Sequence, residues 1–126
     1  MVAYSFKKHF RVPILAGAKR QTIRSPRKRH ALPGEQVQLY TGMRTRHCQI
    51  IGRALCAEVR LIRIGVEERW IEFSEIARIT SRGALDQFAI SDGFTGWEEM
   101  QAFWRANHPD TPVFSGVLIR WDGLRS

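Results

Sequence analysis

The chain has 126 residues, 44% of them hydrophobic and 25% charged. That is enough for one domain with its own core, and it excludes a disordered chain or a miniature stapled by disulfides or metal. The formal net charge of +8 is unevenly split: residues 1–63 hold 14 Lys/Arg against only Glu35 and Glu58, a net of +12, while residues 64–126 hold six Arg against ten acids, a net of −4.

Val2 to Phe6 reads as a short first strand. Met1 to Phe10 lacks the apolar core of a signal peptide, and no run approaches the roughly 20 apolar residues that span a bilayer. The expectation is a soluble cytoplasmic protein with no membrane partner, a monomer or weak dimer. Phe10 to Ala16 reads as a short helix with Pro13 in its first turn and Gly17 as its C-terminal cap. Arg20 to Arg24 reads as a strand, followed by the basic loop Ser25-Pro26-Arg27-Lys28-Arg29-His30. Pro33-Gly34 is a turn signal, and Val37 to Tyr40 alternates as a half-buried strand does. Thr41-Gly42 starts a turn that carries Arg44, Arg46 and His47. Ile50 to Ile64 is the longest β-rich stretch, with Gly52 marking a bulge or bend. Trp70 to Ile79 is ambiguous between strand and helix.

Thr95-Gly96-Trp97-Glu98 matches a capping box, with the Thr95 hydroxyl on the Glu98 amide and Glu98 reaching back. The helix behind it carries Trp97, Met100, Phe103 and Trp104 on one face, a stripe best read as core. His108-Pro109-Asp110 ends it, and Val113 to Trp121 is the last strand. Cys48 and Cys56 fit no zinc or redox spacing, and their apolar surroundings predict two buried free thiols. The four histidines have no ligand-like spacing, so no metal is expected. Five or six short strands, one capped helix and a small helical insert predict a mainly β fold with some α. The expected architecture over residues 1–126 is a single closed or nearly closed barrel flanked by short helices.

The basic first half is a candidate surface for a polyanion, although a solvated, solubilising face has the same composition. The most informative stretch is Gly17-x-Lys19-x-x-Thr22-x-Arg24. It resembles the signature of ASCH domains, which share a PUA-like barrel. Gly34 before a strand, the Asp92-Gly93-Phe94 step into a capped helix, and a last strand ending near Trp121 follow in the order that family shows. The resemblance implies a nucleotide- or RNA-directed pocket. The family's small amidohydrolases, which remove the acetyl group of N4-acetylcytidine, use a Lys, a Thr and a Glu. Lys19 and Thr22 match the first two. Asp92 stands at the place of the Glu, one methylene shorter.

Physically, Thr22 and Arg24 share one face of a strand, about 7 Å apart. Lys19 has the opposite parity and converges on Thr22 only if it lies in the turn after Gly17 or beside a bulge. A desolvated Lys19 near Arg24 would have a lowered pKa and could take a proton from Thr22. Arg24, with Gly17 and Tyr40, would bind a phosphate or polarise a carbonyl. As ordinary structural residues, Lys19 would be a surface charge, Thr22 a strand residue and Asp92 a turn acceptor.

Three functions fit these residues. One is a hydrolase of an acylated nucleoside using Lys19, Thr22 and Asp92, a reading that implies no cofactor. Another is a non-catalytic RNA-binding module, with phosphate contacts from Arg20, Arg27, Lys28, Arg29, Arg44 and Arg46 and from Lys7 and Lys8. The third is a ribonuclease, with Lys19 stabilising a scissile phosphate.

Overall fold

The computed structural model describes residues 2–73 and 77–125. In chain order the elements are β1 (Val2–Phe6), a 3-10 turn (Lys8–Phe10), α1 (Arg11–Leu15), β2 (Gln21–Arg24), β3 (Gln36–Thr41), β4 (Gln49–Gly65), β5 (Trp70–Phe73), β6 (Ala77–Ile79), α2 (Arg82–Ser91), α3 (Trp97–Asn107) and β7 (Val113–Trp121). The mixture is mainly strand with short helices, as the sequence predicts. No helix among the described residues is long and apolar enough to cross a membrane.

β4 is the spine. Its first half pairs antiparallel with β3, which pairs in parallel with β1. Its second half pairs with β5 on one edge and β7 on the other, and β7 carries β2. Two irregularities bend this 17-residue strand so that it can serve both halves. Leu39 faces Gly52 but Tyr40 faces Ile50, which leaves Ile51 as the extra residue beside the glycine read as a bulge. A second shift lies between Cys56 and Glu58. Extra residues of this kind sharpen local twist and curl a sheet.

The predicted barrel closure does not occur. Strand pairing runs β1–β3–β4–β7–β2 with β5–β6 branching from β4, and among the described residues no ladder joins β1 to β2. The reason is chemical. Arg24 Nη2 donates to the Ser5 carbonyl at 2.6 Å, and Arg27 Nη2 reaches the Ala3 carbonyl at 3.5 Å. These alternate β1 carbonyls, which share one edge by the two-residue period of a strand, are met by guanidinium groups in place of β2 amides. The sheet therefore stays open along the β1–β2 edges.

Apolar side chains from all parts of the sheet form one buried cluster with Leu85, Phe88 and Ala89 of α2 and Trp97, Met100 and Trp104 of α3. Four sequence expectations change. The segment 70–79 is a hairpin, β5–β6, whose connection at 74–76 lies outside the described residues. The helix α2 was not expected, although Ser81 caps it by accepting from the Ala84 amide at 3.3 Å, and Leu85, Phe88 and Ala89 have helical spacing. The Thr95–Glu98 box does not form: Gly96 is the N-cap, Glu99 accepts from the Thr95 amide, Asp86 from the Trp97 amide, and Glu98 pairs with Arg69. Finally, Cys56 is buried but Cys48 is exposed, because it precedes β4 in the turn segment.

Gly116 sets the β2–β7 spacing. A Cβ there would lie 2.4 Å from the Arg24 carbonyl oxygen and 2.5 Å from a Phe114 ring carbon. Gly116→Ala should therefore lower stability by about 1–3 kcal/mol through overpacking. A urea melt reads this as a reduced midpoint, and an unchanged midpoint would contradict the close contact.

Candidate functional site

The gap between β1 and β2 opens into a cleft of about 310 Å³. Ser5 and Phe6 of β1 form one wall, and Thr22, Ile23 and Arg24 of β2 form the other. Lys19 and Asp92 also line it, and Phe10, Phe94, Phe103, Trp104 and Phe114 supply an aromatic lining. The rings pack as a connected set, with Phe10 and Phe94 edge-to-face at 5.5 Å, Phe94 and Phe103 at 5.3 Å and Trp104 and Phe114 at 4.5 Å between centroids. Such contacts favour a rigid lining.

Lys19 is 2% exposed and Asp92 6%. The Lys19 ammonium donates to the Asp92 backbone carbonyl at 2.5 Å and lies 3.7 Å from its Oδ1. It also sits over the Phe10 ring at 4.7 Å. The parity conflict between Lys19 and Thr22 disappears because Lys19 precedes the first ladder residue of β2, Gln21. Burial lowers the Lys19 pKa, with Arg24 adding to the effect and Asp92 opposing it. Burial raises the Asp92 pKa, and Lys19 and Gln21 oppose that. Desolvation thus pushes both groups toward their neutral forms.

The local chain explains why these two groups meet. Asp92 is the C-cap of α2, and Gly93 follows with φ +100. A Cβ on Gly93 would lie 2.8 Å from Lys19 Cδ and 3.0 Å from Phe10 Cδ1. Only glycine suits both this backbone conformation and this approach. Gln21 then fixes the carboxylate: its Nε2 donates to Asp92 Oδ1 at 3.1 Å, and its Oε1 accepts from Arg120 Nε at 3.2 Å.

Thr22, 5% exposed, accepts at Oγ1 from Arg24 Nε at 2.9 Å. The same guanidinium holds the Ser5 carbonyl and lies over the Phe6 ring at 4.9 Å. Burial and the nearby Arg27 lower the Arg24 pKa to about 10, so it remains a cation at neutral pH. This cation beside Oγ1 stabilises negative charge on that oxygen.

The other expected site residues lie elsewhere. Gly17, at φ +80, and Arg20 line a separate furrow with Arg120 and Trp121, and Arg20 Nε donates to the Gly17 carbonyl. Tyr40 donates to Gln38 along β3 and does not line the cleft. Arg27, Lys28 and Arg29 border another furrow with Arg60, and Arg29 pairs with Glu35. Arg44 and Arg46 are exposed on the turn after β3. No group of three or more His, Cys, Asp or Glu that could hold a metal occurs among the described residues.

Sequence reasoning missed Gln21, Phe10 and Phe94. The dipeptide Gly93-Phe94 beside Asp92 was the available signal for the last. Gln21 alternates out of phase with Thr22, and only the three-dimensional path of α2 brings Asp92 to it. No family model, curated protein or solved structure matches the chain.

The buried pair sets an energetic expectation. Lys19→Met and Asp92→Asn, each alone, should destabilise by about 3–5 kcal/mol, because each strands its partner. The double variant should lose clearly less than the sum, as measured by urea unfolding. Strict additivity would show that the two groups are independent.

Proposed function

We propose that the β1–β2 cleft is the active site of a hydrolase that cleaves an N-acyl group from a modified nucleoside or nucleotide, as the ASCH-like motif implies. The observation that carries this reading is the convergence of Lys19, Thr22, Arg24 and Asp92, from two distant chain segments, on one cleft walled by aromatic rings. A buried Lys–Asp pair is a costly way to obtain stability, and perturbed pairs in clefts are common at catalytic sites. The aromatic lining suits packing against a heterocyclic base.

In the proposed reaction the Thr22 hydroxyl oxygen attacks the acyl carbonyl carbon, and its proton passes to neutral Lys19. Arg24 stabilises the charge that develops. The C–N bond then breaks, and the Asp92 carboxyl gives its proton to the leaving amine. Water attacks the Thr22 ester and gives a proton to Asp92, and Lys19 returns its proton to Thr22 as the acid leaves. Each step needs Lys19 able to become neutral and Asp92 able to hold a proton. Their pKa shifts run in those directions. No cofactor takes part.

A second reading, a non-catalytic RNA-binding module, draws on the exposed Arg27, Lys28, Arg44 and Arg46, which form no ion pair with a carboxylate among the described residues. Under that reading, replacing Arg27, Lys28 and Arg29 together by Gln weakens RNA affinity and flattens its salt dependence. Unchanged affinity would remove the basic loop from the account.

Hydrolysis of N4-acetylcytidine, followed by chromatography, tests the enzymatic reading. Wild type should turn over, and Lys19→Ala should lose at least about a hundredfold in kcat, as general-base removal does. Equal rates in both proteins would refute the assignment. The rate should rise with pH as Lys19 loses its proton and fall as Asp92 loses its own. Asp92→Asn, which can neither give a proton to the amine nor take one from water, should also lose turnover, and the pH profile of the wild type shows whether both limbs are present.

A further inference from the structure

A second cleft, of about 820 Å³, adjoins the first. Ser5, Phe6 and Lys7 line both. Ser5 is the shared wall: its carbonyl accepts from Arg24 on the side of the first cleft, and its Oγ accepts from the Met43 amide, at 3.4 Å, on the side of the second. The second cleft is cationic. Lys7, Lys8, Arg11 and His47 line it, with no acidic residue among its lining. Both acids of the first half of the chain are engaged elsewhere, Glu35 with Arg29 and Glu58 with Arg120. Lys7 donates to Asn107 at 3.0 Å, and Arg11 Nη1 is buried without a hydrogen-bond partner among the described residues.

The far wall is a prebuilt turn. Gly42 has φ +65, and a Cβ there would lie 2.8 Å from the His47 carbonyl oxygen. Thr45 Oγ1 donates to the Gly42 carbonyl at 2.6 Å and accepts from the His47 amide at 3.1 Å. This turn carries Arg44 and Arg46 next to the cleft. Cations brought together without counter-charges repel one another and lower stability. An anion in the cleft beside Lys8 and Arg11 would relieve that repulsion.

We propose that this second cleft is a phosphate subsite, so that the ligand whose base occupies the β1–β2 cleft is phosphorylated. The assignment of the base rests on the function proposed above, whereas the phosphate subsite rests on the second cleft alone. Phosphate is the chemistry that matches a cationic wall meeting an aromatic one. A free nucleotide and the end of a single-stranded polynucleotide both present it.

Calorimetric titration distinguishes these cases, with cytidine, cytidine 5′-monophosphate, a short single-stranded RNA and inorganic pyrophosphate as probes, at about 50 and 200 mM salt. The variant is Lys8→Gln with Arg11→Gln, two residues outside the proposed catalytic set. The monophosphate should bind wild type about tenfold more tightly than cytidine. That advantage should shrink in high salt and vanish in the double variant, while cytidine affinity stays unchanged. RNA binding tighter than the monophosphate, with a steeper salt slope, identifies a polymer ligand, and equal affinity identifies a free nucleotide. Pyrophosphate binding that is lost in the variant, without any nucleoside binding, would uphold the subsite while refuting the base assignment. No preference for the monophosphate over cytidine in wild type, or no pyrophosphate binding, would overturn the subsite.

Discussion

A lysine and an aspartate removed from water together hold this structure to its shape around one point. The Lys19–Asp92 pair joins the segment leading into β2 to the junction of α2 and α3, 73 residues later in the chain. Desolvation makes either charge costly without the other. The surroundings read as the conditions for that pair. Gly93 gives the backbone turn and the space for the lysine stem, Gln21 orients the carboxylate, and the Phe10 ring covers the ammonium. The same burial that makes the pair demanding draws both pKa values toward neutral forms, which makes it useful for moving protons.

The second organising feature is the unclosed sheet. A curled sheet that completed its hydrogen-bond ladder between β1 and β2 would have filled this space with backbone. Here a side chain bridges the two edges instead. Arg24 satisfies the Ser5 carbonyl across the gap and holds the Thr22 hydroxyl on its own strand. One guanidinium thereby keeps the edges in register and places a cation beside a candidate nucleophile. The opening of the fold and the candidate site are the same place.

The elements most legible in the sequence were those whose local signals agree with their packing. β1, β3, β4 and β7 follow from alternation and apolar runs, and α1 from Pro13 and Gly17. Lys19, Thr22, Arg24 and Asp92, which line the cleft, had been singled out by the motif resemblance alone, the first three by the Gly17-to-Arg24 motif and Asp92 by its place in the order that the resemblance implies. What was not legible depends on contacts distant in sequence. The barrel does not close, and the Ser5 and Ala3 carbonyls of β1 accept from Arg24 and Arg27 instead of backbone amides, contacts that no periodicity encodes. Thr95 lies one residue before the N-cap, Gly96, and Asp86 of α2, a helix not expected from the sequence, accepts from the Trp97 amide. Tyr40 points along β3 to Gln38, and Gly17 and Arg20 fall on another face. A motif read as one linear unit is thus split by the turn into β2.

The charge division of the chain gains a structural meaning in this arrangement. In the acidic second half, Glu67, Glu72 and Glu98 pair with Arg105, Arg78 and Arg69 of the same half, while Glu72 also meets Arg63 and Asp92 meets Lys19. The basic first half supplies both the cleft cations and the neighbouring cationic wall. The central claim, that Lys19 is a buried and perturbed amine held by Asp92, is most directly tested by nuclear magnetic resonance titration of the lysine side chains. The sequence contains only Lys7, Lys8, Lys19 and Lys28, so each can be followed. Lys19 should titrate below the ordinary lysine range, and Asp92→Asn should lower it further by removing the attraction that favours its charged form. A Lys19 that titrates in the ordinary lysine range and ignores Asp92→Asn would contradict the account.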